Sequence, residues 1–274
     1  MTVAAASDKA RRTFAGNRVV SCVVLKVKAA AGKSRRSSVY EDGALRVRFP
    51  NGDALEAVVV NTAGGIAGGD KFSFDVGVGE GAALTVTTAA AEKAYRSLGD
   101  PATMDVKLSV ASGGSLAWLP QETILFNEAQ LRRSIDAELA GDAKLLLVES
   151  VVFGRTAMSE AVEQGNLCDR WRVRRDGKLI FADTLRLNGA IAQKLAHKVV
   201  AAGGCAIATV FITPVDEAQI AALREQPFTG DAGVSAWNGF ALARLVARDG
   251  EALRHDLKLL LGAIGGTLPR LWLN

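Results

Sequence analysis

A chain of 274 residues, of which 49% are apolar and 23% charged, has ample material for a buried core and excludes a disordered polyelectrolyte. Only 6% of the residues are aromatic, so that core rests mostly on Val, Leu and Ala. The formal net charge of +4 is unevenly spread: residues 1–50 hold 11 Lys or Arg against 3 Asp or Glu. Such a bias fits an acidic partner, nucleic acid or a solvated strand face. Because few aromatics interleave to stack bases, the solvated face is favoured and nucleic acid is not.

No apolar run reaches the length of a membrane span; the longest, Leu145–Val152 and Leu257–Ile264, are short and carry charges. The N-terminus has Lys9, Arg11 and Arg12 but no apolar run of the secretory kind. Cys22, Cys168 and Cys205 are odd in number and widely spaced, as reduced cytoplasmic thiols are. Residues 1–17 read as a loose, flexible terminus, and 18–274 as a single domain.

Val19–Val27 reads as a strand and Gly32–Ser38 as a polar, basic loop. Leu45, Val47 and Phe49 alternate, Asn51-Gly52 turns the chain, and Leu55, Ala57 and Val59 alternate again, which predicts a hairpin. Asn61–Asp70 comes next. Its two Gly-Gly pairs, Gly64-Gly65 and Gly68-Gly69, permit positive φ and close approach by another backbone. The segment lacks a Walker pattern, and the adjoining Phe72–Val78 alternates as a strand rather than opening a helix. Gly65-Ile66-Ala67-Gly68 has the Gly-x-x-Gly spacing of an RNA clamp without that clamp's basic flanks.

An internal echo marks the middle of the chain. Val78–Leu84, Val110–Leu116 and Leu139–Leu145 each place an apolar residue, a turn and a second apolar residue six positions on. The copies recur about every thirty residues, within the range of stacked β units. The fold expected is therefore mainly β: an elongated body of stacked strands, with a few α-helices in the C-terminal third. Asp176-Gly177 predicts another hairpin, with Arg170, Arg172 and Arg174 on one face. Helices are expected at Ile191–Val200, from a Thr213-Pro214 N-cap to about Gln226, and from an Asp249 cap through Leu253, Leu257, Leu260, Leu261 and Ile264 to Gly265-Gly266.

The residues give no catalytic constellation. His197 and His255 have no second His at ligand spacing, and no Gly-x-Ser-x-Gly elbow is present. The informative groups are carboxylates in apolar runs: Glu149, Glu92, Glu122 and Asp183. Buried carboxylates need partners, so each is expected to meet Arg or Lys. A sharper reading makes them a path for a divalent cation, since oxygen ligands hold nickel more weakly than imidazole or thiolate.

Four blocks carry a family resemblance. Asn61–Asp70, Thr87–Ser97, Leu119–Asn127 and Phe153–Glu160 together resemble the signature segments of the UreD family of urease accessory proteins. The match runs in order from about Arg18 to the C-terminus. Ala89 stands where Gln is common, and Ser159 where Gly is common.

The resemblance implies a non-catalytic scaffold without a tightly bound cofactor. Its implied partners are apo-urease subunits, UreF and the GTPase UreG, with nickel passing transiently through an internal tunnel. The motif positions it marks are Asn61, Thr62, Gly64, Gly65, Gly68, Gly69 and Asp70, then Glu92, Lys93, Tyr95 and Arg96, then Gln121 and Glu122. Asp70 reads either as a cap on local N–H groups or as a charge on the cation path. The rival readings are a carboxylate hydrolase built on Asp70 and a nucleic-acid binder using the basic N-terminal third.

Overall fold

The computed structural model describes residues 18–155, 160–266 and 268–273. The N-terminal segment expected to be loose, 1–17, and the family position Ser159 lie outside the described residues. Strands dominate. β1 (Val20–Ala30) turns at Ala31-Gly32 into β2 (Lys33–Asp42). This corrects the loop expected at Gly32–Ser38. Ala31 and Gly32 both take positive φ, +50° and +72°, so the connection is a two-residue hairpin, and the polar segment after it is an edge strand.

β3 (Leu45–Arg48) and β4 (Glu56–Asn61) form the antiparallel pair expected around Asn51-Gly52, though across a longer loop than those two residues. The chain then winds between two facing sheets. β5 (Lys71–Val78), β8 (Ala102–Val110), β11 (Gln130–Leu139) and β13 (Gln164–Arg175) lie parallel in the first sheet. β6 (Ala83–Thr88), β9 (Ser115–Leu119) and β12 (Lys144–Phe153) lie parallel in the second. Short β7 (Glu92–Ala94) and β10 (Thr123–Leu125) pair with each other, and β10 also with β12.

The sequence echo is the corner of each coil. Val78, Val110 and Leu139 pair in register in one sheet, and Leu84, Leu116 and Leu145 pair in register in the other. The six-residue spacing is therefore the distance in chain from one sheet to the next, repeated and stacked. Inward residues of both sheets, among them Leu25, Phe72, Val106, Leu116, Ile135 and Leu147, form one core between them.

β14 (Lys178–Ala190) closes the first sheet as the expected Asp176-Gly177 hairpin. The second sheet continues antiparallel through β15 (Ala206–Thr213), β17 (Phe240–Ala247) and β16 (Asp231–Trp237). The described helices are α1 (Ile191–Ala196), α2 (Glu217–Arg224) and α3 (Gly250–Ala263). α1 stops short of the expected Val200. Thr213 does not cap α2: it remains in β15, where its hydroxyl donates to Gly239 O and accepts from Arg175. Asp216 is the N-cap, closing a capping box with Gln219, and α2 ends two residues before Gln226. Asp249 caps α3 as expected. Leu253, Leu257, Leu260 and Leu261 then cover the outer face of the second sheet. That cover explains why Leu145–Phe153 is apolar on both strand faces: β12 is buried between α3 and the first sheet.

Candidate functional site

The glycine-rich segment is stitched to β7. Ile66 N donates to Lys93 O at 2.7 Å and accepts at its carbonyl from Tyr95 N at 2.8 Å. The Tyr95 hydroxyl donates to Gly64 O at 2.8 Å. Gly65 has φ +150°, and a Cβ there would come within 2.8 Å of Lys93 O. Gly68 is also closely packed: a Cβ would lie 2.6 Å from Ser97 Cβ and 2.8 Å from Asp100 O. Close backbone approach is the reason for glycine at these two positions.

Asp70 is buried, with both oxygens engaged. Oδ1 accepts from Val19 N at 2.9 Å, and Oδ2 from Ala67 N at 2.7 Å. Its geometry is that of a turn cap tying the loop to the start of β1. This leaves Asp70 poorly placed as the base or nucleophile of a hydrolase.

Beside this loop a cavity of about 270 Å³ opens between the sheets. Its mouth is formed by exposed Gly64, Ala90 and Lys93; its inner wall by buried Phe74, Met104, Trp118, Arg133 and Glu149. Of the sequence candidates, Asn61, Gly64, Gly65, Glu92, Lys93, Gln121 and Glu149 line it. Thr62, Gly68, Gly69, Asp70, Tyr95, Arg96, Glu122 and Asp183 do not. Thr62 bonds to Ala44 O, and Gly69 faces Arg18. Arg96 pairs with Glu128, Glu122 with Arg254, and Asp183 with Arg244. Those contacts serve packing at loops and strand edges, so the carboxylates at 122 and 183 stand apart from this cavity.

Glu92 has no cationic partner within ion-pair distance among the described residues. The Asn61 amide donates to both its oxygens at 3.1 Å and to Gly65 O at 3.0 Å, joining loop, strand and cavity mouth. Burial raises the Glu92 pKa above the ordinary carboxylate value, against the opposing effect of the Asn61 bond. Gln121 spans to Thr88 and accepts from Arg254, which holds the opposite rim.

The inner end is a buried charge cluster of which the sequence candidates include only Glu149. Arg133 pairs with Glu149 through Nη1 and with Asp169 through Nη2, the latter at 2.5 Å. Trp118 donates its indole N–H to Glu149 and Trp171 donates to Asp169, each at 2.9 Å. One cation thus faces two carboxylates. Burial pushes Glu149 up to about 7; Arg133 opposes the shift and Asp169 adds to it. Burial works against the charge on Arg133 too, but Asp169 and Glu149 outweigh it and hold the guanidinium ionised.

Arg133, Asp169, Trp118 and Thr87 are absent from the sequence candidates. A signal exists for two of them. Arg133 interrupts the buried series Leu131, Ile135, Ala137, Leu139, and Asp169 interrupts Leu167, Trp171, Val173. Their strands place 133 and 169 directly opposite each other.

Two buried polar atoms in the cavity wall lack partners: Thr87 Oγ1 and Arg133 Nε. A cavity of this size with unpaired donors and carboxylates on its wall accommodates water. The arrangement therefore offers a largely apolar chamber with polar groups at its two ends, one carboxylate near its mouth and another at its inner end. Among the described residues, no group of three or more His, Cys, Asp or Glu could hold a metal ion. No helix of the described residues is long and apolar enough to cross a membrane.

The fold and site define a stacked-β protein with an internal chamber that has a carboxylate at each end, and without a clustered metal site in the described region. The family model described as UreD urease accessory protein matches residues 20–272. The chain is 54% identical over 265 residues to a urease accessory protein UreD of Rhodopseudomonas palustris strain BisA53, covering 95% of this chain and 93% of that one. It is 52% identical over 266 residues to the urease accessory protein UreD 3 of a Bradyrhizobium species, covering 95% and 96%. The chain belongs to the UreD family of urease accessory proteins. The resemblance read from the four blocks is thereby borne out.

Proposed function

We propose that this protein is a cytoplasmic urease maturation factor, a non-catalytic scaffold. It binds apo-urease together with UreF and the GTPase UreG and passes nickel toward the urease active site. The observation that carries the reading is the cavity that leads from the glycine-rich loop and Glu92 to Glu149, mostly apolar along its wall with a carboxylate at each end. Carboxylate, hydroxyl and amide oxygens hold nickel weakly compared with imidazole or thiolate, which suits passage rather than storage. Nickel is cargo in this reading, not a resident cofactor. Cys22, Cys168 and Cys205 form no disulfide among the described residues, which is compatible with a reducing compartment.

The test is urease activation reconstituted from apo-urease, UreF, UreG, GTP and nickel. Thr87→Leu fills part of the cavity without removing a hydrogen bond, because the hydroxyl has none. Glu92→Gln removes charge at the mouth while keeping a side chain of the same shape. Both should lower nickel loading while leaving UreF binding intact. Full loading by both variants at wild-type protein levels would reject passage through this cavity.

A further inference from the structure

The outer corner of the first hairpin has a charge pattern that its own fold does not neutralise. β2 ends the first sheet, and none of its ten residues is buried. From Arg35 to Val39, its outward backbone groups have no hydrogen-bond partner among the described residues. Lys28 on β1 stands directly opposite Arg35 on β2, and Lys33, opposite Ala30, lies on the same face.

Directly opposed like charges destabilise an antiparallel pair. Neighbouring cations are accommodated: Lys26 pairs with Asp75 at 2.6 Å, and Arg36 stacks over Phe49. Lys28, Lys33 and Arg35 have no acidic partner among the described residues. A single cation already discourages edge-to-edge pairing. A second one placed straight across the ladder adds cost and little further protection.

We propose that this edge receives an extended acidic segment of a protein partner. The segment adds as a strand beside β2, its backbone pairing with the open edge and its carboxylates meeting Arg35 and Lys33, with Lys28 behind them. The chain itself supplies no suitable occupant. Residues 1–17 carry Lys9, Arg11 and Arg12 against Asp8, the wrong sign, and a second copy brings a formal charge of +4. An open row of backbone N–H and C=O groups selects a peptide over a nucleic acid, which has no strand to add.

The test uses the full chain and a short labelled peptide of alternating Glu and Thr, followed by fluorescence anisotropy. Binding should weaken with rising salt and be lost when the peptide backbone is N-methylated on its pairing side. Lys33→Glu combined with Arg35→Glu should weaken binding about tenfold or more. The same double variant should gain affinity for an alternating Lys-Thr peptide, a reversal that misfolding cannot produce; circular dichroism checks the fold directly. Four results would overturn the proposal: no binding of the Glu-Thr peptide at low salt, equal binding by the charge-reversed chain, binding unaffected by N-methylation, or tighter binding of oligothymidylate of similar length. If the variant self-associates while its peptide affinity stays at the wild-type level, the cations only guard the edge, and the proposal also falls.

Discussion

Replacing Glu149 with Gln should change stability by an amount whose sign depends on pH. In the native protein burial raises the Glu149 pKa from 4.5 to about 7. Between those values the folded chain holds a proton that the unfolded chain has released. Stability contributed by that proton is fully present below the unfolded pKa and is lost as pH rises through about 7. At about 1.4 kcal/mol per pKa unit, the loss approaches about 3 kcal/mol in alkaline solution.

The amide of Glu149→Gln does not titrate, so the variant escapes this loss. It has only one acceptor oxygen, however, where Glu149 accepts from both Trp118 and Arg133. Even when protonated, the carboxyl can still accept at its hydroxyl oxygen, whereas an amide NH2 turned toward one of those donors cannot, which costs on the order of 1–2 kcal/mol. The variant should therefore be the less stable protein at about pH 5 and equal to or more stable than wild type at about pH 8.5. Urea unfolding of both proteins across this range gives the difference directly, and titrations common to the two cancel. A difference that stays constant with pH would refute the claim that burial, with one Arg serving two acids, governs this cluster.

Gly64 and Gly65 should respond differently to alanine. Gly65→Ala drives a Cβ against Lys93 O and should cost on the order of 2–4 kcal/mol, whereas Gly64 has φ +75° but open space, so Gly64→Ala should cost only about 1–2 kcal/mol. Equal shifts in thermal midpoint would show that close approach to β7 is not what requires glycine at 65. Asp70→Asn should lower stability by about 1–3 kcal/mol, because only one of the backbone donors Val19 N and Ala67 N can keep an acceptor. An unchanged denaturation midpoint would contradict the double-cap geometry.

What sequence alone determined here was local or periodic. The turns after Val78, Val110 and Leu139 were legible because the same spacing recurs, and stacking aligns those residues in register. Asp249 and the Leu series of α3 were legible because a cap and a 3.6-residue period act within one element. The strand at Lys33–Asp42 was missed because its polar composition resembles a loop; its pairing with β1 decides it, through the Ala31-Gly32 turn. Glu149 stood out as a carboxylate in an apolar run, but nothing local says which charge answers it. Arg133 and Asp169 lie on other strands, 16 and 20 residues away in the chain, and meet Glu149 only because the two sheets face each other. The same stacking separates Glu122 and Asp183, which looked equivalent to Glu92 in sequence, from the cavity and gives them Arg254 and Arg244 instead. Burial and charge pairing depend on distances between strands remote in sequence, and those distances exist only once the coils are stacked.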